Sequence, residues 1–365
     1  MNAAVATRPS VASRPTPARI ALLGTGTVGS AVLARLAAWE GRAFGDRLSL
    51  CYAANSRFGF EPASIIDARK RASQREPAWP PATNSLRDVA QTLGDRGLRI
   101  VIDATASETV AERHAQWLAQ GIHVVTACKL GQGTSLARWR GIQAACRAGG
   151  TTYGDSATVG AGLPLLKSIR GLQAGGDRIH AIAGVLSGSM AWLFNHYDGL
   201  RPFSGFVRQA RQAGYTEPDP RDDLSGEDVR RKILILARAA GFALESHEVD
   251  VESMVPSSLA ALPVDEVDEA LPELDIRLRE RYAESCKRGE KLRFIARIEK
   301  GRACVGLESL TEDHPLVGGG GTDNRVAIWS DRYRQQPLVI QGPGAGADVT
   351  AAGLLDDVLS IADAS

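Results

Sequence analysis

The sequence has almost no charge of one sign to spare: 43 Lys and Arg stand against 42 Asp and Glu, a formal net charge of +1. That balance excludes the one-signed field that nucleic acid or an anionic membrane recruits, and leaves a small molecule as the default partner. Cysteine is scarce. Cys51, Cys128, Cys146, Cys286 and Cys304 form no C-x-x-C pair, and an odd number in a chain of 365 residues points to free thiols in a reducing, cytoplasmic compartment. No apolar run reaches the roughly 18 residues that a membrane span needs. The six histidines lack metal-ligand spacing such as H-x-x-x-H, and His114, His123 and His314 read as strand-end or surface residues. A G-x-S-x-G elbow is missing. Gly318-Gly319-Gly320-Gly321 has no Lys-Ser/Thr after it, which excludes a phosphate loop and suggests a hairpin turn. Residues 1–18 hold no hydrophobic segment of a secretory signal. Their Arg-rich, acid-free composition fits a disordered extension, with an organellar transit peptide left open.

What is present is a 44% apolar chain, enough for a sizeable core in two or three domains. The run Arg19-Ile20-Ala21-Leu22-Leu23 reads as a buried strand ending in Gly24, with a helix over 28–39 and a strand over 48–54. Residues 55–97 are polar and Pro-rich and read as a loop with one helix. Strand 98–105, helix 108–120, strand 122–127 and helix 136–148 follow. The alternation predicts an α/β, Rossmann-type doubly wound parallel sheet over 19–150. Near 150 the pattern changes. Residues 151–159 look extended, and 180–187 and 292–308 read as strands of a second, antiparallel or mixed sheet. Residues 257–275 read as a surface excursion. The prediction is therefore a second α+β domain over 151–339, with 340–365 returning to close the first.

Gly24-Thr25-Gly26-Thr27-Val28-Gly29 fits G-x-G-x-x-G in the strand–turn–helix setting this motif requires. The helix N-terminus offers unpaired N–H groups and partial positive charge to a pyrophosphate. An NAD site would place an acid at the end of the next strand, to hold the ribose 2′-OH. Here the strand ends Ala54-Asn55-Ser56-Arg57, and Arg57 suits a 2′-phosphate, so NADP is expected over NAD. Thr105, Ala106 and Ser107, after another strand, either line the cofactor or cap the next helix. Further on, Ser225-x-x-Asp228 has a capping-box pattern. Asp228 and Lys232 lie four apart on one helical face, acid first, as an ordinary surface pair would. Lys232 nevertheless interrupts an apolar stripe of Val229, Ile233, Leu236 and Ala240. A lysine in an inward stripe is rare unless paired.

Two stretches, Val159–Pro164 and Gly214–Lys232, resemble homoserine dehydrogenases, especially the dehydrogenase half of bifunctional aspartokinase–homoserine dehydrogenases. The resemblance runs through nearly all of the chain after residue 18, including His123-Val124-Val125-Thr126, Ser187-Gly188-Ser189 and residues 344–353. It implies an NADPH-dependent, reversible reduction of L-aspartate 4-semialdehyde to L-homoserine, in threonine, methionine and isoleucine biosynthesis, by a homodimer joined through the second domain. It implies that Lys232 donates the proton with Asp228 in support and Lys129 as a second functional lysine. Glu217 and Asp223 would meet the substrate amino group, with Tyr215, Gly188 and Ser189 as lining residues. Gly214 would lie next to the nicotinamide, and Lys129, Gly346 and Thr350 would also touch the cofactor. A sodium or other monovalent cation on the carbonyls of Val159, Ala161 and Leu163 is implied as well. The carboxylate usual three residues before the valine is replaced by Ser156, beside Asp155, and Cys128 stands where Asn is common. With no kinase domain before residue 19 and no regulatory domain after the last helix, little threonine inhibition is expected. The rival readings are an oxidoreductase of another small amino-aldehyde and a non-catalytic NADP-binding sensor.

Overall fold

The computed structural model describes residues 16–73, 86 and 88–364. The expected extension over 1–18 therefore lies almost wholly outside the described residues. The first sheet comprises β1 (Ala18–Leu23), β2 (Leu48–Ala54), β3 (Gly59–Phe60), β4 (Arg99–Asp103), β5 (His123–Thr126) and β6 (Tyr153–Gly154), in the order β3-β2-β1-β4-β5-β6. All neighbours pair in parallel except β3, which runs antiparallel to β2. β1 shows why the sheet is doubly wound. Side chains alternate faces along a strand. Ile20 and Leu22 join a core with Val32, Leu33 and Leu36 of the Thr27–Ala38 helix, while Ala21 and Leu23 join another with Trp117, Leu118 and Ile142. Both faces are covered, so both registers are apolar.

The second sheet comprises β7 (Ile179–Val185), β8 (Val249–Val251), β9 (Lys291–Glu299), β10 (Arg302–Leu310), β11 (Asp323–Ser330) and β12 (Leu338–Pro343), in the order β12-β11-β7-β9-β10-β8. It is antiparallel save for the parallel β8–β10 edge, as the mixed pattern suggested. One face carries a large core that includes the apolar stripe of the Glu227–Ala239 helix. The C-terminal helix Ala347–Asp363 returns to the first sheet, burying Ala351, Leu354, Leu355 and Val358 against the core of the Thr27–Ala38 helix.

Several expectations change. The helix over 108–120 is two short ones, Glu108–Ala111 and His114–Ala119. Part of 151–159 belongs to the first sheet as β6, followed by a turn of 3-10 helix over Ser156–Thr158. Residues 257–275 are not a surface excursion: short helices there bury Leu259, Val267, Leu271 and Leu274 in the main core, an apolar spacing hidden among acids and prolines. Gly318–Gly321 does not turn a hairpin, because β10 and β11 are not neighbours in the sheet.

Candidate active site

The Glu227–Ala239 helix starts after Gly226, whose left-handed φ of 78° closes the preceding turn. The capping box expected at Ser225 and Asp228 is not formed. Ser225 Oγ accepts from the Glu227 N–H, and Asp228 faces away into the cleft between the two sheets' domains. There its carboxylate bridges two ammonium groups. Lys232 Nζ lies 2.8 Å from Oδ2, and Lys129 Nζ, on the loop after β5, lies 3.2 Å from Oδ1. Lys232 also donates to the Leu186 carbonyl at 2.8 Å, and its side chain is only 12% exposed. The stripe reading holds: Val229, Ile233, Leu236 and Ala240 are buried around it.

Electrostatics separates the two nearby acids. Burial alone would push the Asp228 carboxyl up, but Lys232 and Lys129 outweigh it and hold the group far below the usual carboxylate range. Asp223 goes the other way. Burial raises it, against hydrogen bonds from Ser189 Oγ (2.6 Å) and the Glu217 N–H (2.8 Å). Ser189 is itself bonded to Ser187 at the start of the Gly188–His196 helix. Tyr215 stands exposed with its ring 5.5 Å from Trp192, and Glu217 is exposed beside it. Gly214 closes the preceding helix with a φ of 73°. The sequence-predicted substrate residues thus share one wall.

The other wall is the nucleotide turn. A Cβ on Gly29 would fall 1.8 Å from the Gly24 carbonyl oxygen, so only glycine lets the helix start this close to β1. At Gly26 a Cβ would meet nothing within 4 Å, and the Thr27–Ala38 helix has neither a side-chain cap nor an acid in its first turn. Its leading N–H groups are left for an anion, an arrangement that fits a dinucleotide pyrophosphate. Thr25 accepts from Asn55, whose Oδ1 in turn accepts from the backbone N–H groups of Arg57 and Phe58. This turn presents Arg57 on the exposed rim after β2. Thr105 spends its hydroxyl on Asp103, and Ser107 occupies the helix-capping position without capping it. Gly346 starts the C-terminal helix, and Thr350 Oγ1 bonds back to its carbonyl.

Beside the carbonyls proposed for a cation, those of Val159, Ala161 and Leu163, the carboxylates are already engaged. Asp155 is fully buried, and both its oxygens are taken by Arg170 at 2.7 and 2.6 Å. Ser156 donates through its N–H and Oγ to Asp357, which also pairs with Lys167 at 3.2 Å. The Leu163 carbonyl already accepts from Leu165. Both carboxylates near Val159 and Ala161 therefore have a resident protein cation.

Sequence reasoning missed two buried networks. His114 is not a surface residue: it is fully buried, 3.0 Å from both Asp103 Oδ2 and the Tyr153 hydroxyl. Burial drives the Tyr153 hydroxyl well above its usual pKa. Asp103 also accepts from Thr126 and Thr105, so it ties the ends of β4 and β5 together. Arg238, an arginine amid Leu234-Ile235-Leu236-Ala237, is 2% exposed. The apolar run around it was the signal available. Cys128 is a buried thiol that burial pushes up to about 11, hence protonated and inert.

Comparison with known proteins agrees with this geometry. A family model described as homoserine dehydrogenase matches residues 164–359, and one described as the homoserine dehydrogenase NAD binding domain matches 24–153. A maize chloroplastic bifunctional aspartokinase/homoserine dehydrogenase 2 is 42% identical over 267 residues, covering 72% of this chain and 29% of the maize protein. The chain thus spans less than a third of that relative's length. The homoserine dehydrogenase of Emericella nidulans is 37% identical over 278 residues, covering 73% of this chain and 76% of that protein. Among solved structures, a Candida auris protein of unknown function superposes with a TM-score of 0.85 at 33% identity, covering 95% and 98% of the two chains. A hyperthermophilic archaeal homoserine dehydrogenase in complex with NADPH shares the fold, with a TM-score of 0.73 at 19% identity, over 96% and 99%.

Proposed function

This chain belongs to the homoserine dehydrogenase family, and we propose that it reduces L-aspartate 4-semialdehyde to L-homoserine reversibly with NADPH, a step toward threonine, methionine and isoleucine. The observation that carries the reading is the Asp228 carboxylate held between Lys129 from the nucleotide half and Lys232 from the second half.

NADP would lie with its pyrophosphate on the turn Gly24, Thr25, Gly26, Thr27, Val28 and Gly29, its 2′-phosphate toward Arg57 beside Asn55, and Thr105 to Ser107, Gly214, Gly346 and Thr350 along its length. NAD is the weaker cofactor in this reading. When bound, the dinucleotide supplies the hydride. The chain's own part is charge and a proton. Two N–H groups of the Lys232 ammonium are committed to Leu186 and Asp228, and the third is available to an aldehyde oxygen. As negative charge grows on that oxygen, the ammonium stabilises it and then gives up the proton. Asp228, held strongly acidic, stays ionised and holds both lysines in place. Glu217 and Asp223 suit a substrate ammonium, with Tyr215, Gly188 and Ser189 forming the adjacent wall. A monovalent cation has no part in this reading, because the nearby carboxylates are already neutralised by Arg170 and Lys167.

The same reading makes the protein a cytoplasmic homodimer. In its favour, the outer face of the second sheet leaves Ala181, Arg297 and Trp329 around an open cavity of about 600 Å³. No helix among the described residues is long and apolar enough to cross a membrane. The test is NADPH oxidation with aspartate semialdehyde against a panel of other small aldehydes. Faster turnover of another amino-aldehyde would move the substrate assignment, and NADPH binding without any turnover would leave only a sensor.

A further inference from the structure

Arg238 lies on the same helix as Asp228 and Lys232, yet far from the cleft and almost completely buried. Its guanidinium donates only to backbone carbonyls. Nε and Nη2 reach Leu244 at 3.2 and 2.8 Å, Nη2 also reaches Thr134 at 2.8 Å, and Nη1 reaches Gln132. No carboxylate oxygen lies within ion-pair distance of it among the described residues. Glu245 is the nearest acid that acts on it, without a direct ion pair; burying a charge with no ion-pair partner is costly, and an apolar side chain of similar volume would suit this helix better on packing alone. The carbonyls it selects explain its presence. Gln132 and Thr134 belong to the loop that carries Lys129. The same loop is closed on itself by the Gly133 N–H donating to the Lys129 carbonyl at 2.6 Å. It lies flat on the helix: a Cβ on Gly133 would come within 3.2 Å of the Arg231 Cβ. At the loop's end, the Leu136 N–H donates to Glu245, just past the Leu244 carbonyl that Arg238 also holds.

We propose that Arg238 is a positioning residue that locks the Lys129 loop onto the Asp228–Lys232 helix, and so sets the Lys129–Asp228 contact joining the two halves of the active site. A planar fork with donors on both edges can span carbonyls of two segments at once, whereas the point charge of lysine cannot. The proposal rests on the functional reading above for its kinetic consequence, but its geometric consequence stands apart from it.

The experiment compares Arg238→Gln and Arg238→Lys with wild type. With the lock gone, kcat falls by about tenfold or more, while the NADPH Kd, measured by fluorescence titration, stays within about twofold. In a Lys129→Ala background the same Arg238→Gln change lowers kcat by less than about twofold, because coupled residues are non-additive. Independently of activity, acylation of Lys129 followed by mass spectrometry speeds up severalfold relative to the exposed Lys300. A merely structural arginine would lower Tm but leave Lys129 labelling unchanged and the two kinetic effects multiplicative, and that outcome overturns the proposal. Should Arg238→Gln fail to fold, Arg238→Lys and amide exchange in the wild-type protein decide. Residues 130–136 exchange as slowly as the Glu227–Ala239 helix if locked, and far faster if not. A wild-type protein that does not reduce aspartate semialdehyde would retire the functional reading while the labelling and exchange results still judged Arg238.

Discussion

At Lys232 the surroundings of one nitrogen set the chemistry. A single long side chain, nearly buried and tied to a carbonyl and a carboxylate, presents one remaining N–H to the cleft. General acid catalysis, the role proposed for Lys232, typically supplies about 10²–10⁴ in rate. Lys232→Ala should lower kcat by that order with NADPH affinity unchanged, and Lys232→Arg should not restore it, since guanidinium gives up its proton poorly. A folded Lys232→Ala enzyme within about threefold of wild type, roughly 0.7 kcal/mol, would shift the role to Lys129. The two acids give a second test. Asp228 is held down by its lysines and Asp223 is raised by burial, so on falling pH Asp223 takes up its proton first. The acid limb of kcat/KM should therefore lie above the ordinary aspartate value of 3.8 and disappear in Asp223→Asn. A limb that Asp223→Asn leaves in place assigns it elsewhere. Arg57 offers a third. Losing one charge-assisted contact to a 2′-phosphate is worth about 1.5–3 kcal/mol, so Arg57→Ala should raise KM for NADPH roughly tenfold or more and barely change it for NADH. Equal effects on both cofactors would remove Arg57 from the site.

Among the elements, the C-terminal helix matters most for the junction. Its apolar face belongs to the first sheet, but Asp357 reaches the Ser156 turn and Lys167 of the Leu165–Ala174 helix. Arg170 of that same helix clamps Asp155. Protein cations thus hold a joint for which the family resemblance implied a metal cation. Two consequences follow. Exchanging sodium for a bulky organic cation at constant ionic strength should change kcat by less than about twofold, and a strict sodium or potassium requirement would contradict the reading. Asp357→Ala strands the Ser156 N–H and hydroxyl, a loss of about 2–3 kcal/mol, visible as a lowered Tm in thermal unfolding.

For the whole molecule, the second sheet carries its main core on one face, while on the other a smaller cluster with Ala191 and Leu316 covers Ala183, Val185, Ile295 and Ala327. The part of that second face left open around the cavity, with Trp329 half-buried near Ala181 and Arg297, is where a second copy would pack. Sedimentation should give twice the chain mass of 38.8 kDa, and Trp329→Glu should yield monomers. A wild-type monomer at micromolar concentration would dismiss the dimer.

The sequence by itself determined the four central strands of the first sheet, β1, β2, β4 and β5, because a strand buried on both faces must be apolar in both registers, and it determined the nucleotide turn, because glycines at fixed spacing have few other uses. It also determined that Lys232 points inward, since the helical stripe around it is read along the chain. Only the tertiary structure decided what those residues meet. Asp228 looked like a helix cap, and its pairing with Lys129 crosses about a hundred residues of chain. Asp155 stood beside the family's missing carboxylate position, and only the fold brought Arg170 to it, while His114 looked like a surface residue until Asp103 and Tyr153 enclosed it. The helices within 257–275 bury leucines whose spacing is masked by acids on their outer faces. Periodicity reports which way a side chain faces. Partners drawn from distant segments are fixed by the packing of whole elements, and nothing local in the chain encodes them.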